Sequence, residues 1–162
     1  QSKYHILYVG AGELEDLLKQ NSNVVFDGNN MISNQKNNKI LPLTSFTGFI
    51  NQSKVSEAYI AADLLVLPSD ADETWGLVVN EAMASGLPCV VSDACGSSED
   101  LVSSIDPMLS YSEGNIESLA NSIKYASQNL PSKMQLKKQI NAYDFIHTVK
   151  TLEYLWASTK KK

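Results

Sequence analysis

The chain has 162 residues, 43% of them hydrophobic and 19% charged, with a formal net charge of -5. That is enough apolar material for one buried core and too ordinary a composition for a disordered chain. The acidic balance argues against a nucleic-acid partner, which calls for a basic face. The one basic run, Lys160, Lys161 and Lys162, reads as a solvated tail.

All 13 basic residues are lysine, so no arginine fork is available to grip a phosphate. An anion held by this chain must use lysines, hydroxyls, backbone N–H groups or a partner domain. Cys89 and Cys95 form neither a CxxC pair nor a zinc spacing. Cys89 lies in an apolar run and reads as a buried free thiol, and the pair suggests a reducing compartment. No stretch approaches the ~18 uninterrupted apolar residues of a membrane span. The start, QSKYHILYVG, has no signal-peptide core and opens almost directly on a strand. It is expected to be cut from something longer.

In chain order, residues 4–10 predict a strand, 12–20 a helix and 23–26 a second strand. Residues 27–45, rich in Asn, Lys and Ser, predict a loop or insertion. A short strand follows at 46–50, then a helix over 53–62 with Ser53 as its N-cap. Residues 63–68 predict a buried strand, 76–85 a helix closed by Gly86, and 88–93 a strand. A short helix at 97–104, a last strand at 107–111, and helices near 115–129, 132–141 and 144–158 complete the chain.

Strands alternate with helices, and the strands are continuous apolar runs. That pattern predicts one α/β domain over 1–162, a Rossmann-like parallel sheet with helices on both faces. Ligands of such sheets bind outside the carboxyl ends of the strands. Functional residues should therefore follow strands, as Gly10, Phe49 and Ile50, Pro68 to Gly76, and Asp93 to Gly96 do.

Gly10 and Gly12 open like a dinucleotide loop, but Glu15 stands where the third glycine belongs. Glu13, Glu15 and Asp16 would complement the helix N-terminus from within, which disfavours a pyrophosphate there. A tight strand-to-helix turn is the better reading. The stretch PSDADETWGLVVNEAMASG, 68–86, carries more chemistry. Its helix begins near Gly76, and the first turn holds no acidic side chain. Its N–H groups are expected to be free for an outside anion, with the helix dipole in favour. Glu73 precedes the helix, and Glu81 shares a face with Leu77 and Val78. Carboxylates accept hydrogen bonds from sugar hydroxyls, so an anion site with a carboxylate on either side suits a nucleotide sugar. Spacing alone leaves open an exposed helix with two incidental glutamates. Glycoside hydrolysis by paired carboxylates fits less well with an anion site between them. No GxSxG, HExxH or P-loop occurs, and His5 and His147 read as surface or structural histidines.

The stretch PSDADETWGLVVNEAMASGLPCVVSDACGSSEDLV, 68–102, resembles the donor-binding half of retaining glycosyltransferases of the GT-B fold, family 4. The hallmark is Glu73, seven residues, Glu81, then Ala82-Met83-Ala84-Ser85-Gly86-Leu87-Pro88. Residues 6–18, 46–69 and 144–158 are similar to other parts of that domain. The resemblance implies that Glu73 meets the donor sugar as the catalytic glutamate, with Thr74 beside it. It implies that the amides of Gly76, Leu77 and Val78 hold the diphosphate and that Glu81 holds the ribose hydroxyls. Phe49 and Ile50 would border the base, and Gly10 would let the first turn approach the donor.

The resemblance further implies a hexosyltransferase using a nucleotide diphosphate sugar and a glycan or lipid-linked acceptor, with no metal and no other cofactor. It implies a missing N-terminal acceptor-binding domain and a missing upstream Arg and Lys pair, so the fragment alone is expected to transfer nothing. A cytoplasmic setting follows, at the inner face of the membrane, with peripheral contact made through the missing domain. Cys95-Gly96 stands where many members carry Gly-Gly. The alternative is a non-catalytic nucleotide-sugar or partner-binding module of the same fold. An epimerase or phosphorylase is a third reading; a phosphorylase calls for a lysine-bound cofactor, yet no lysine lies between Lys54 and Lys124.

Overall fold

The structure, a computed structural model, describes residues 4–28 and 41–160. Most of the segment read as an insertion, residues 29–40, lies outside the described residues. The chain divides into two compact units, Gln1–Ala58 and Tyr59–Lys162. Each is an α/β arrangement of parallel strands with helices around them, of the Rossmann-like class.

In the first unit, β1 (His5–Tyr8) leads through helix α1 (Glu15–Gln20) to β2 (Asn23–Asp27), and β3 (Leu43–Phe46) inserts between them. Both pairings are parallel. Phe46 is buried at 2% exposure and stacks on Tyr8 with ring centroids 4.9 Å apart. Burying a side chain of this size stabilises by roughly 1.5–3 kcal/mol. The Lys19 ammonium bridges Glu15 at 2.6 Å and Asp27 at 2.7 Å, tying α1 to β2. His5 has a structural partner, with Nε2 3.0 Å from Ser45 Oγ.

Two expectations for this unit are corrected. The strand placed at 46–50 runs instead over Leu43–Phe46, and all of it but Phe46 falls in the segment read as a loop. Thr44 and Ser45 are buried there although polar, and Thr44 Oγ1 donates to the Pro42 carbonyl at 3.2 Å. Ser53 is not a helix cap. Its N–H and hydroxyl both donate to Asn51 Oδ1 at 3.0 Å, in a turn that precedes α2 (Val55–Ala61).

In the second unit, β5 (Cys89–Ser92) lies between β4 (Leu65–Leu67) and β6 (Ser110–Tyr111), again all parallel. Every residue of β5 is buried, as a central parallel strand requires. Helix α3 (Leu77–Ala84) connects β4 to β5 and buries Val79, Ala82 and Met83. It ends in a Schellman motif: Gly86, at φ +84°, donates to Met83 O at 3.0 Å, and Leu87 to Ala82 O at 2.9 Å. The expected helix at 97–104 is a π-helical segment, Ser98–Ser103. The strand expected at 107–111 is mostly a 3₁₀ turn, Pro107–Leu109, because the Asp106 carboxylate caps it by accepting from Met108 N at 3.0 Å. Proline then suits the first position of the turn. Helices α4 (Ile116–Ala126), α5 (Lys133–Ile140) and α6 (Phe145–Thr159) follow as expected. Ser132 and Gln135 form a capping box at the start of α5.

Candidate functional site

The loop from Pro68 to Gly76 leaves the carboxyl end of β4, where open parallel sheets present ligand sites. Asp70 begins it with a turn, its Oδ1 accepting from Asp72 N at 3.1 Å and its carbonyl from Glu73 N at 3.2 Å. The loop then locks onto the segment after β5. Gly96 N donates to Thr74 O at 3.3 Å, and Ser97 N to Trp75 O at 2.8 Å. A Cβ at Gly96 would stand 2.9 Å from Trp75 Cδ1, which explains a glycine there. Cys95, beside it, is 1% exposed. Burial first, then the charges of Glu73 and Asp70, push its thiol up.

Gly76 enters α3 in the left-handed region, φ +88° and ψ 65°. A Cβ would stand 2.9 Å from both Leu67 Cδ2 and Ser97 Oγ. No other residue meets both demands. The expectation of a wholly free first turn is corrected here: Gly76 N–H donates to Glu73 Oε1 at 2.9 Å. The glutamate reaches across the turn and satisfies one donor of the helix start. Among the described residues, the N–H groups of Leu77 and Val78 have no such partner. Both residues are exposed, and α3 carries no acidic side chain in its first turn. Two amides at the positive end of a helix dipole can hold an anion.

Glu81 lies one turn further along, on the face opposite buried Val79, Ala82 and Met83. It is half-buried, and its Oε2 accepts from Tyr59 OH at 3.0 Å. Burial first, then the hydrogen bond and charge of Glu81, raise the Tyr59 phenol to about 12. The phenol is therefore a fixed donor at neutral pH. Sequence reasoning missed Tyr59. Its only signal was a tyrosine on the apolar side of α2, where a buried phenol needs an acceptor.

Trp75 is a second residue missed. Its Nε1 donates to Asp100 Oδ2 at 2.7 Å, and its ring packs against Tyr143 at 5.9 Å. Thr74, next to it, is exposed.

The residues proposed on the first unit are placed by that unit alone. Gly10, at φ +114°, donates to Gly48 O at 2.9 Å, so the turn after β1 is bridged to the turn after β3. Phe49 and Ile50 line a groove of about 440 Å³, together with Phe26, Asn51 and Lys54. Phe49 is 85% exposed. No three His, Cys, Asp or Glu side chains converge as a metal set among the described residues.

A strand-end loop carrying Glu73 leads into α3, which carries Glu81, in an α/β chain of parallel strands. The sequence matches the family of glycosyl transferases group 1 over residues 4–154, and the chain belongs to that family. It is similar to the sulfoquinovosyl transferase SQD2 of Arabidopsis thaliana, 51% identical over 51 residues, which are 32% of this chain and 10% of that protein. It is similar to a GDP-mannose-dependent alpha-mannosyltransferase of Mycolicibacterium smegmatis, 38% identical over 79 residues, 49% of this chain and 20% of that one. A 2-deoxystreptamine N-acetyl-D-glucosaminyltransferase of Streptomyces fradiae is 38% identical over 74 residues, 46% of this chain and 17% of its own length. The chain thus corresponds to a fifth or less of each of these relatives.

Proposed function

We propose that this chain is the donor-binding lobe of a retaining, GT-B-fold, family 4 glycosyltransferase that moves a hexose from a nucleotide diphosphate sugar to a glycan or lipid-linked acceptor. The observation that carries this reading is the start of α3, where the amides of Leu77 and Val78 have no hydrogen-bond partner among the described residues, beside Glu73. A diphosphate there meets the helix dipole, and charge developing on it as the glycosyl bond breaks is stabilised by donors already in place. Glu73 uses one carboxylate oxygen on Gly76 N–H. Its remaining acceptor sites serve donor-sugar hydroxyls, with Thr74 adjacent. Glu81 takes the ribose diol.

Phe49 and Ile50, with Gly10 behind them, are proposed for the base on the evidence of the first unit alone. The relatives' names share glycosyl transfer and differ in the group moved: sulfoquinovosyl, mannosyl and N-acetylglucosaminyl. Glycosyl transfer is what carries over to this chain, and the GDP-mannose dependence of one relative supports a nucleotide-sugar donor. The proposal needs no metal, since the amides take the charge. It includes an upstream Arg and Lys pair of the donor domain, an N-terminal acceptor-binding domain that makes peripheral membrane contact, and a cytoplasmic location. No helix among the described residues is long and apolar enough to cross a membrane.

Amide-resolved NMR tests the site. Adding UDP, GDP or ADP to the ¹⁵N-labelled chain should shift the Leu77 and Val78 amides most, with Gly76 following. If a nucleotide binds and those two amides stay fixed, α3 is not the diphosphate site.

A further inference from the structure

We propose that Tyr59 is a positioning residue for Glu81, holding one carboxylate oxygen so that the other is presented to a vicinal diol of the nucleotide. The inference rests on the reading of Glu81 as the diol-binding glutamate. Its observation is separate: Tyr59 OH donates to Glu81 Oε2 at 3.0 Å, from α2 to α3.

A half-buried carboxylate needs donors, and its chemistry depends on which donors it has. Among the described residues no lysine or histidine pairs with Glu81. Its side chain has a single hydrogen-bond partner there, the phenol. An ionised carboxylate is acceptor-only, with about four lone-pair sites. One neutral O–H occupies one of them and leaves the charge intact. A cation would have neutralised that charge and competed with the ligand.

The arrangement also limits motion. A glutamate on a helix surface has three side-chain torsions, and a diol that binds it must order them at a cost. Tyr59 has two, and it is itself half-buried on a neighbouring helix. The phenol orders the carboxylate before the ligand arrives. Both partners sit on helices rather than loops, which favours a fixed geometry. The phenol remains protonated across the neutral range, since its ionisation is pushed up to about 12.

The test is a calorimetric cycle on the whole chain with UDP, GDP and ADP, each beside its 2′,3′-dideoxy counterpart. Wild type, Tyr59→Phe, Glu81→Ala and the double variant are compared, with thermal unfolding recorded for each. Tyr59→Phe should weaken the ribonucleotide roughly two- to tenfold, the span of one net hydrogen bond. It should leave dideoxy binding unchanged. In the Glu81→Ala background the same change should have no further effect. Equal weakening of ribo and dideoxy ligands would assign Tyr59 a merely structural role and overturn the proposal. So would a silent Tyr59→Phe in a chain where Glu81→Ala weakens the ribonucleotide, and that outcome leaves the diol reading of Glu81 standing. If Glu81→Ala itself leaves ribonucleotide affinity unchanged, or no nucleotide binds, the diol reading fails and the proposal falls with it.

Discussion

The Trp75 indole N–H donates to Asp100 Oδ2 at 2.7 Å, joining the loop before α3 to the π-helical segment Ser98–Ser103. Asp100 is also held from elsewhere, its carbonyl accepting from Gln139 Nε2 at 2.8 Å and Tyr143 OH at 3.3 Å. The loop that carries Glu73 is therefore braced by groups from α5 and the turn after it. Trp75→Phe keeps the ring and deletes the donor. It should lower stability by about 0.5–1.5 kcal/mol in denaturant unfolding. Asp100→Ala should cost a similar amount, and the double variant should cost less than the sum.

Two glycines with positive φ bracket α3, and they should respond differently to alanine. Gly76→Ala meets Leu67 and Ser97 at 2.9 Å in addition to the left-handed backbone. It should cost upwards of ~2 kcal/mol, from about 1–2 for the backbone and 1–3 for the overpacking. Gly86→Ala meets only the flexible Lys133 stem, at 3.5 Å. It should cost about 1 kcal/mol. Urea unfolding midpoints of the two variants decide the order.

That contrast shows what the sequence could tell. Gly86 was legible as a helix end because the Schellman motif is local and favours glycine. Gly76 was legible as a helix start, and the parallel α/β order followed from apolar runs such as the wholly buried Cys89–Ser92. What failed lay outside apolar pattern and periodicity. The strand Leu43–Phe46 hides two buried polar residues, Thr44 and Ser45, whose partners come from folding rather than from pattern. The Glu73 bond to Gly76 depends on a loop path that no periodicity encodes. Tyr59 and Glu81 meet across 22 positions of sequence, so nothing in either segment announced the other.

Ser97 makes a further prediction. Its Oγ is buried and, among the described residues, stands as a side-chain polar atom without a hydrogen-bond partner. Ser97→Ala removes a desolvated group and no bond, so stability should hold or rise by up to ~1 kcal/mol. Neighbouring Ser98 is the control, its Oγ lying 2.7 Å from Ser110 Oγ. Ser98→Ala should cost about 1 kcal/mol in the same unfolding assay.

Cys89 sets an alkaline limit. Burial pushes its thiol from 9.0 up to about 12. The folded chain then holds a proton that the unfolded chain has already released. Stability from this group is fully present below pH 9 and is lost as pH rises towards about 12. The slope is roughly 1.4 kcal/mol per pH unit while the difference lasts. Cys89→Ala should unfold more easily at pH 7, by cavity formation, yet lose less stability between pH 9 and 11. Parallel slopes for the two proteins would contradict this.

The measurement that tests the account most directly is a calorimetric comparison of a nucleoside diphosphate with its sugar conjugate on the wild-type chain, Glu73→Ala and Glu81→Ala. The account predicts that one of UDP, GDP or ADP binds. Glu81→Ala should weaken diphosphate and conjugate alike, and Glu73→Ala should remove the extra affinity contributed by the sugar. If both variants bind diphosphate and conjugate as wild type does, the two glutamates are incidental to the α3 site and the donor-lobe reading is wrong.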